Sequence, residues 1–234
     1  WAASQGMTLM ELLIALGLGA SLSATLMQLF TAGMHLQARQ SSVQDLQQRS
    51  AYTQFLLRSA IRGSASPCAS VNNTVITAEY PALLVLEPRA AAIDAITGSH
   101  VLRVLTGDCG APVEFYYIGH GMGDASISTG LFRRRQRGDG SFASAEELVE
   151  GVTAMTATVG LRLPAASPAQ AGRAVAAYVD AELVDDWSQA FSVNLAVTVR
   201  QMTVAGEMGG DSLALGFSTS LRHAELHMPG RTAQ

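Results

Sequence analysis

One carboxylate, Glu11, stands in an otherwise uncharged run from Met7 to Phe30. A lone acid in so apolar a segment is costly unless it has a partner or a task, so Glu11 is the first candidate for chemistry. The second is the cluster Arg133-Arg134-Arg135-Gln136-Arg137-Gly138-Asp139-Gly140. Its arginines, Arg133, Arg134, Arg135 and Arg137, offer a basic contact patch for an anion or nucleic acid, and Arg137-Gly138-Asp139 an adhesive tripeptide. The plainer reading, which we favour, is a solvated strand end running into an Asp-Gly turn. The third candidate is the cysteine pair Cys68 and Cys109. In an exported domain such a pair is expected as a disulfide. It would close a loop of about 40 residues and add roughly 2–4 kcal/mol. Two unrelated buried thiols are the alternative.

Other chemistry has little support. The histidines at 35, 100, 120, 223 and 227 are scattered. His223 and His227 lie one helical turn apart, but no acid completes a metalloprotease arrangement. No phosphate-binding loop or nucleophile elbow occurs, and Gly119–Gly123 reads as a turn. Neither catalysis nor a metal or other cofactor is expected. The net charge of −4 gives no overall basic footprint, so nucleic acid is not the default partner.

The elements that must carry these residues follow from hydrophobic patterning. Hydrophobic residues make up 48% of the 234-residue chain and charged ones 15%, so a substantial core is expected rather than disorder. As a helix, Met7 to Phe30 would be about 36 Å long, enough for a hydrocarbon core of roughly 30 Å. A cleaved secretory signal usually has a shorter apolar core, of about 7–15 residues. Polar residues enter from His35, while Val43, Leu46, Ser50, Thr53, Leu57 and Ala60 recur at spacings of three and four. That spacing predicts one buried helical face. Gly63, Ser64 and Pro67 supply stop signals, giving a helix of roughly 84 Å from about Met7 to Arg62.

After Cys68 the pattern becomes β-like. Strands are predicted at Leu83–Leu86, Val101–Leu105, Val113–Ile118, Leu131–Arg135, Val152–Leu163, Val175–Val179, Phe191–Gln201 and Leu213–Leu221. The clearest alternation sets Val193, Leu195, Val197 and Val199 against Asn194, Thr198 and Arg200. Turn-rich clusters such as Gly138–Ser141 and Pro164–Pro168 separate them, and a short helical turn is expected around Trp187, itself read as a core anchor. Strands without alternating helices predict an antiparallel sheet and the α+β class.

Gly6-Met7-Thr8-Leu9-Met10-Glu11-Leu12-Leu13-Ile14-Ala15-Leu16 resembles the type IV prepilin signature, in which a glycine precedes the cut and a glutamate stands fifth in the mature chain. The resemblance makes Gly6 the last leader residue and Met7 the N-methylated mature terminus. It also gives Glu11 a role in subunit assembly, pairing with the terminal amine of a neighbouring subunit. Methionine in place of the usual phenylalanine suits a minor subunit. Further along, Cys68, Gly130-Leu131-Phe132-Arg133-Arg134, Leu148-Val149-Glu150-Gly151-Val152, Trp187 with Val193–Arg200, and Phe217–Arg222 resemble PilW-like minor pilins. J-type minor pseudopilins of type II secretion share much of this layout. The K-type usually lacks the glutamate.

The resemblance implies a pilin fold, a long N-terminal helix packed on an antiparallel sheet domain. Its divisions would be a leader remnant at 1–6, a transmembrane and assembly half of the helix at 7–34, an amphipathic half at 35–62 and a periplasmic β-rich domain at 63–234. The implied function is that of a non-enzymatic minor pilin, processed by prepilin peptidase, that initiates, primes or caps type IV pilus assembly. Implied partners are other minor pilins, the major pilin, the peptidase and a large tip adhesin. The implied location is the bacterial inner membrane, single-pass with a periplasmic C-terminal domain, and then the assembled pilus, which serves adhesion or twitching motility. The alternatives are a J-like pseudopilin and, in another class, a pilus-tip adhesion or DNA-binding module using the arginine cluster.

Overall fold

The computed structural model describes residues 8–64, 83–86, 93–105, 113–121, 128–162, 175–184, 187–202 and 208–221. It is α+β: a helix α1 (Leu9–Arg62) precedes nine strands, β1 (Leu83–Leu86), β2 (Val101–Leu105), β3 (Val113–His120), β4 (Thr129–Gln136), β5 (Glu146–Glu150), β6 (Val152–Arg162), β7 (Val175–Asp180), β8 (Ala190–Met202) and β9 (Met208–Ser220). The chain divides into two units, Trp1–Asp45 and Leu46–Gln234.

In the first unit the helix is largely apolar up to Met34 and exposed over that length, with Leu9, Leu13, Leu16, Leu22, Met27 and Phe30 all more than half accessible. It is long and apolar enough to cross a membrane. Its few hydroxyls do not spoil that character, because each bonds back to its own backbone. Ser21 donates to the Leu18 carbonyl (2.8 Å), Ser23 to Gly19 (2.9 Å), Thr25 to Leu22 (2.8 Å) and Thr31 to Gln28 (3.0 Å). A polar group satisfied inside the helix loses little on leaving water.

In the second unit the helix has one buried stripe: Leu46, Ser50, Thr53, Leu57, Ala60 and Ile61. This is the face predicted from spacing, extended by Ile61; Val43, counted on that face, is 45% exposed because burial starts at Leu46. The two hydroxyls on the stripe are satisfied within the helix, Ser50 by the Leu46 carbonyl and Thr53 by that of Arg49. The helix ends where expected. Gly63 N–H bonds the Ser59 carbonyl (2.8 Å), and the Ser64 hydroxyl caps the carbonyl of Ile61 (2.7 Å).

The expected antiparallel sheet is two sheets, ordered β1-β2-β3-β4-β5 and β7-β6-β8-β9, with every pair antiparallel. One core joins Leu57 and Ile61 of the helix to Leu102, Ile118 and Leu131 of the first sheet and Met155, Val193, Leu195 and Val197 of the second. Trp187 packs half-buried against it, within a short 3-10 turn (Trp187–Gln189). A smaller cluster of Ile93, Val101, Phe115, Tyr117 and Phe132 covers the other side of the first sheet.

Three local differences from the sequence reading have simple causes. Strand β5 was not predicted as a strand: its sequence Glu-Glu-Leu-Val-Glu carries charge, as suits an edge, and only Val149 is fully buried. Gly119 and His120, read as turn, extend β3 opposite Gly130 and Thr129. The chain changes sheet at Gly151, with φ of +84°. Its N–H bonds the Thr129 carbonyl of β4 and its carbonyl accepts from Arg200 of β8, both at 2.7 Å, so one residue ties the sheets together.

Candidate functional site

The head of α1 holds Glu11. Thr8 takes the N-cap position, and the Glu11 N–H donates to the Thr8 hydroxyl oxygen at 3.3 Å. In return Glu11 Oε2 accepts from the Thr8 N–H and the Thr8 hydroxyl, each at 3.3 Å. The two residues therefore form a reciprocal capping box, which satisfies helix-end donors that have no partner inside the helix. A carboxylate in the first turn also faces the positive end of the helix dipole. The Thr-x-x-Glu spacing ahead of an apolar run is itself a sequence signature of this box, and Thr8 is the residue the sequence reading missed. Only one carboxylate oxygen is used. Glu11 Oε1 makes no hydrogen bond with a described residue, which leaves an anionic acceptor at the end of an apolar helix. Gly6, Met7, Cys68 and Cys109 lie outside the described residues, as do His223, His227 and the turn Pro164–Pro168.

The arginine cluster lies on β4 and the turn after it, and strand alternation sends its members to opposite faces. Arg133 and Arg135 share a face with Glu114 of β3, whose carboxylate is 8% exposed. Arg135 Nε donates to Glu114 Oε1 at 2.8 Å, and Arg133 lies 3.8 Å from the same oxygen while donating to Glu146 at 2.7 Å. The Tyr116 hydroxyl donates to Glu114 Oε2 at 2.7 Å. On the opposite face Arg134 stacks on Phe142, 4.9 Å from the ring centroid, and donates to the Ala143 carbonyl at 3.0 Å. Arg137 enters the turn, where its N–H bonds the Ser141 carbonyl and Asp139 accepts from the N–H and hydroxyl of Ser141. Gly140 carries φ of +82°, as an Asp-Gly turn demands. The four guanidinium groups thus do not converge on one surface.

The electrostatics match this wiring. Burial alone would raise the Glu114 carboxyl, but the bonds from Tyr116 and Arg135 and the charges of Arg133 and Arg135 hold it below its ordinary value. The Tyr116 hydroxyl is pushed up to about 12, first by burial and then by its bond to the Glu114 carboxylate. The bond to Glu146 raises Arg133 despite its partial burial. Such a network ties three strands, β3, β4 and β5, together. Among the described residues no cluster of three or more His, Cys, Asp or Glu side chains could hold a metal ion.

Residues 115–219, from β3 through nearly all of β9, match the family model of PilW, the type IV pilus-assembly protein W. This stretch, a little under half of the chain, is similar to PilW. The match covers the arginine cluster, Gly151, Trp187 and the β8 alternation, and so most of the strand motifs that carried the resemblance. No curated protein and no solved structure matches the chain. The matched stretch is thus similar to a pilus-assembly family, and the same chain carries a helix long and apolar enough to cross a membrane.

Proposed function

We propose that the chain is a minor pilin. It is made as a single-pass inner-membrane precursor with its strand-rich part in the periplasm, and prepilin peptidase cuts it between Gly6 and Met7 and methylates the new amine. The apolar half of α1 then leaves the lipid for the bundled helices of a filament, where the subunit helps to initiate, prime or cap the pilus with other minor pilins, the major pilin and a tip adhesin. Its role is non-enzymatic.

The observation that carries this reading is the head of the helix. The apolar first half of α1, exposed along its length, begins in a capping box that occupies one oxygen of Glu11, the other having no hydrogen bond among the described residues. A carboxylate and a terminal amine are each costly in lipid and less so as a pair, so their pairing favours one axial offset between neighbouring helices. The PilW match favours a type IV pilus over a type II secretion pseudopilus. Cys68 and Cys109 form a disulfide in this reading, which alkylation and mass measurement of the non-reduced protein would test; two free thiols would rule it out.

Mass spectrometry of sheared pili tests the assignment. The expected result is a chain beginning at Met7 and carrying one added methyl group. Absence of the chain from pili made by a wild-type strain would refute it.

A further inference from the structure

Beside the buried stripe of α1, its second half lines an open groove of about 780 Å³ with Gln54, Phe55, Arg58, Ser59 and Arg62, and Ser220 of β9 shares in the lining. Among the described residues its lining carries two guanidinium groups and no carboxylate. Several arginines of this unit face acids, as in Arg49 with Glu150, Arg133 with Glu146 and Arg135 with Glu114. Arg58, like Arg134 on Phe142, is held on an aromatic ring instead. Its guanidinium lies 5.3 Å from the centre of the Phe217 ring, and its Nε is buried with no hydrogen-bond partner among the described residues. The position over the Phe217 ring fixes the fork in place. Phe55, 66% exposed, stands next to it as an apolar contact.

We infer that this groove docks an acidic segment of another pilus subunit, whose carboxylate meets Arg58 and Arg62 while an adjacent apolar side chain packs on Phe55. Charge complementarity selects the occupant: two cations with no carboxylate beside them among the described residues favour a carboxylate-bearing peptide over a basic or neutral one. The identity of the partner as a pilus subunit rests on the minor-pilin reading; the acidic chemistry of the occupant does not.

The test places p-benzoylphenylalanine at position 55 of the full-length chain in pilus-producing cells and identifies the peptide it captures on irradiation. The expected adduct joins the chain to a second pilus subunit through a peptide bearing Asp or Glu. Arg58→Glu with Arg62→Glu should lower its yield about tenfold. Replacing the captured acid by Arg in the partner should restore it, which a merely misfolded variant would not allow. A captured peptide without an acid, a yield indifferent to charge reversal, an adduct within this chain itself, or no adduct in pili that contain the chain would each overturn the inference. If the chain is absent from sheared pili, the minor-pilin reading fails, and the same charge test on adducts from the membrane fraction decides the groove.

Discussion

Glu114 shows how a single residue can carry consequences that no short motif announces. It is buried, yet both its oxygens are engaged, by Tyr116 on one side and Arg135 with Arg133 on the other. Substituting Glu114→Gln keeps the shape but removes the charge facing two arginines. We expect a loss of about 1–3 kcal/mol, at the lower end of what a buried pair would give because Arg135 is half exposed. Urea melts of the purified full-length chain in detergent would measure it. The folded-state carboxyl is depressed, so its contribution is complete above the ordinary value near 4.5 and is lost as pH falls through the lower folded value. The wild type should therefore weaken more steeply in acid than Glu114→Gln. Tyr116 acts with the opposite sign, its contribution complete below 10 and lost as pH rises through about 12. None of this was legible in the sequence, because it depends on the register that sets Glu114 opposite Arg135. The Thr8–Glu11 box depends only on local spacing and was there to be read.

Among the elements, the ones most legible in the sequence are those with one buried face. The stripe of α1 and the alternation of β8 were read from spacing because each has a wet side, and Val193, Leu195, Val197 and Val199 are at most 1% exposed. Strand β3 is buried on both faces, between the main core and the smaller aromatic cluster, so period two fades there. The division into two sheets was not legible either, since strand order is a matter of pairing rather than of local pattern. Its hinge is Gly151. A side chain there would need the left-handed region and would place its first carbon 2.6 Å from the Arg200 carbonyl oxygen. Gly151→Ala should cost about 2–4 kcal/mol, combining backbone strain with the disrupted tie between β4 and β8. Hydrogen exchange should show weakened protection at the amides of Gly151 and Arg200. Unchanged protection and melting would show that the corner tolerates a side chain.

At the scale of the whole molecule, the chain joins an apolar helix with little internal burial to a PilW-like strand-rich unit with a substantial core. That division of labour suits the proposed minor pilin, stored in a membrane and then moved into a filament. The helix must be stable as a helix in lipid, which its self-satisfied hydroxyls allow, and its one charge must wait for a partner. Glu11 separates the two demands, because glutamine at the same position can still complete the capping box while carrying no charge. The most direct test is the amount of this chain in sheared pili from strains expressing wild type, Glu11→Gln or Glu11→Ala, alongside the amount held in the membrane. The account predicts normal folding, cleavage and membrane levels for both variants, with incorporation into pili reduced about tenfold or more, in line with loss of a desolvated charge pair. Wild-type amounts of either variant in the pili would contradict it.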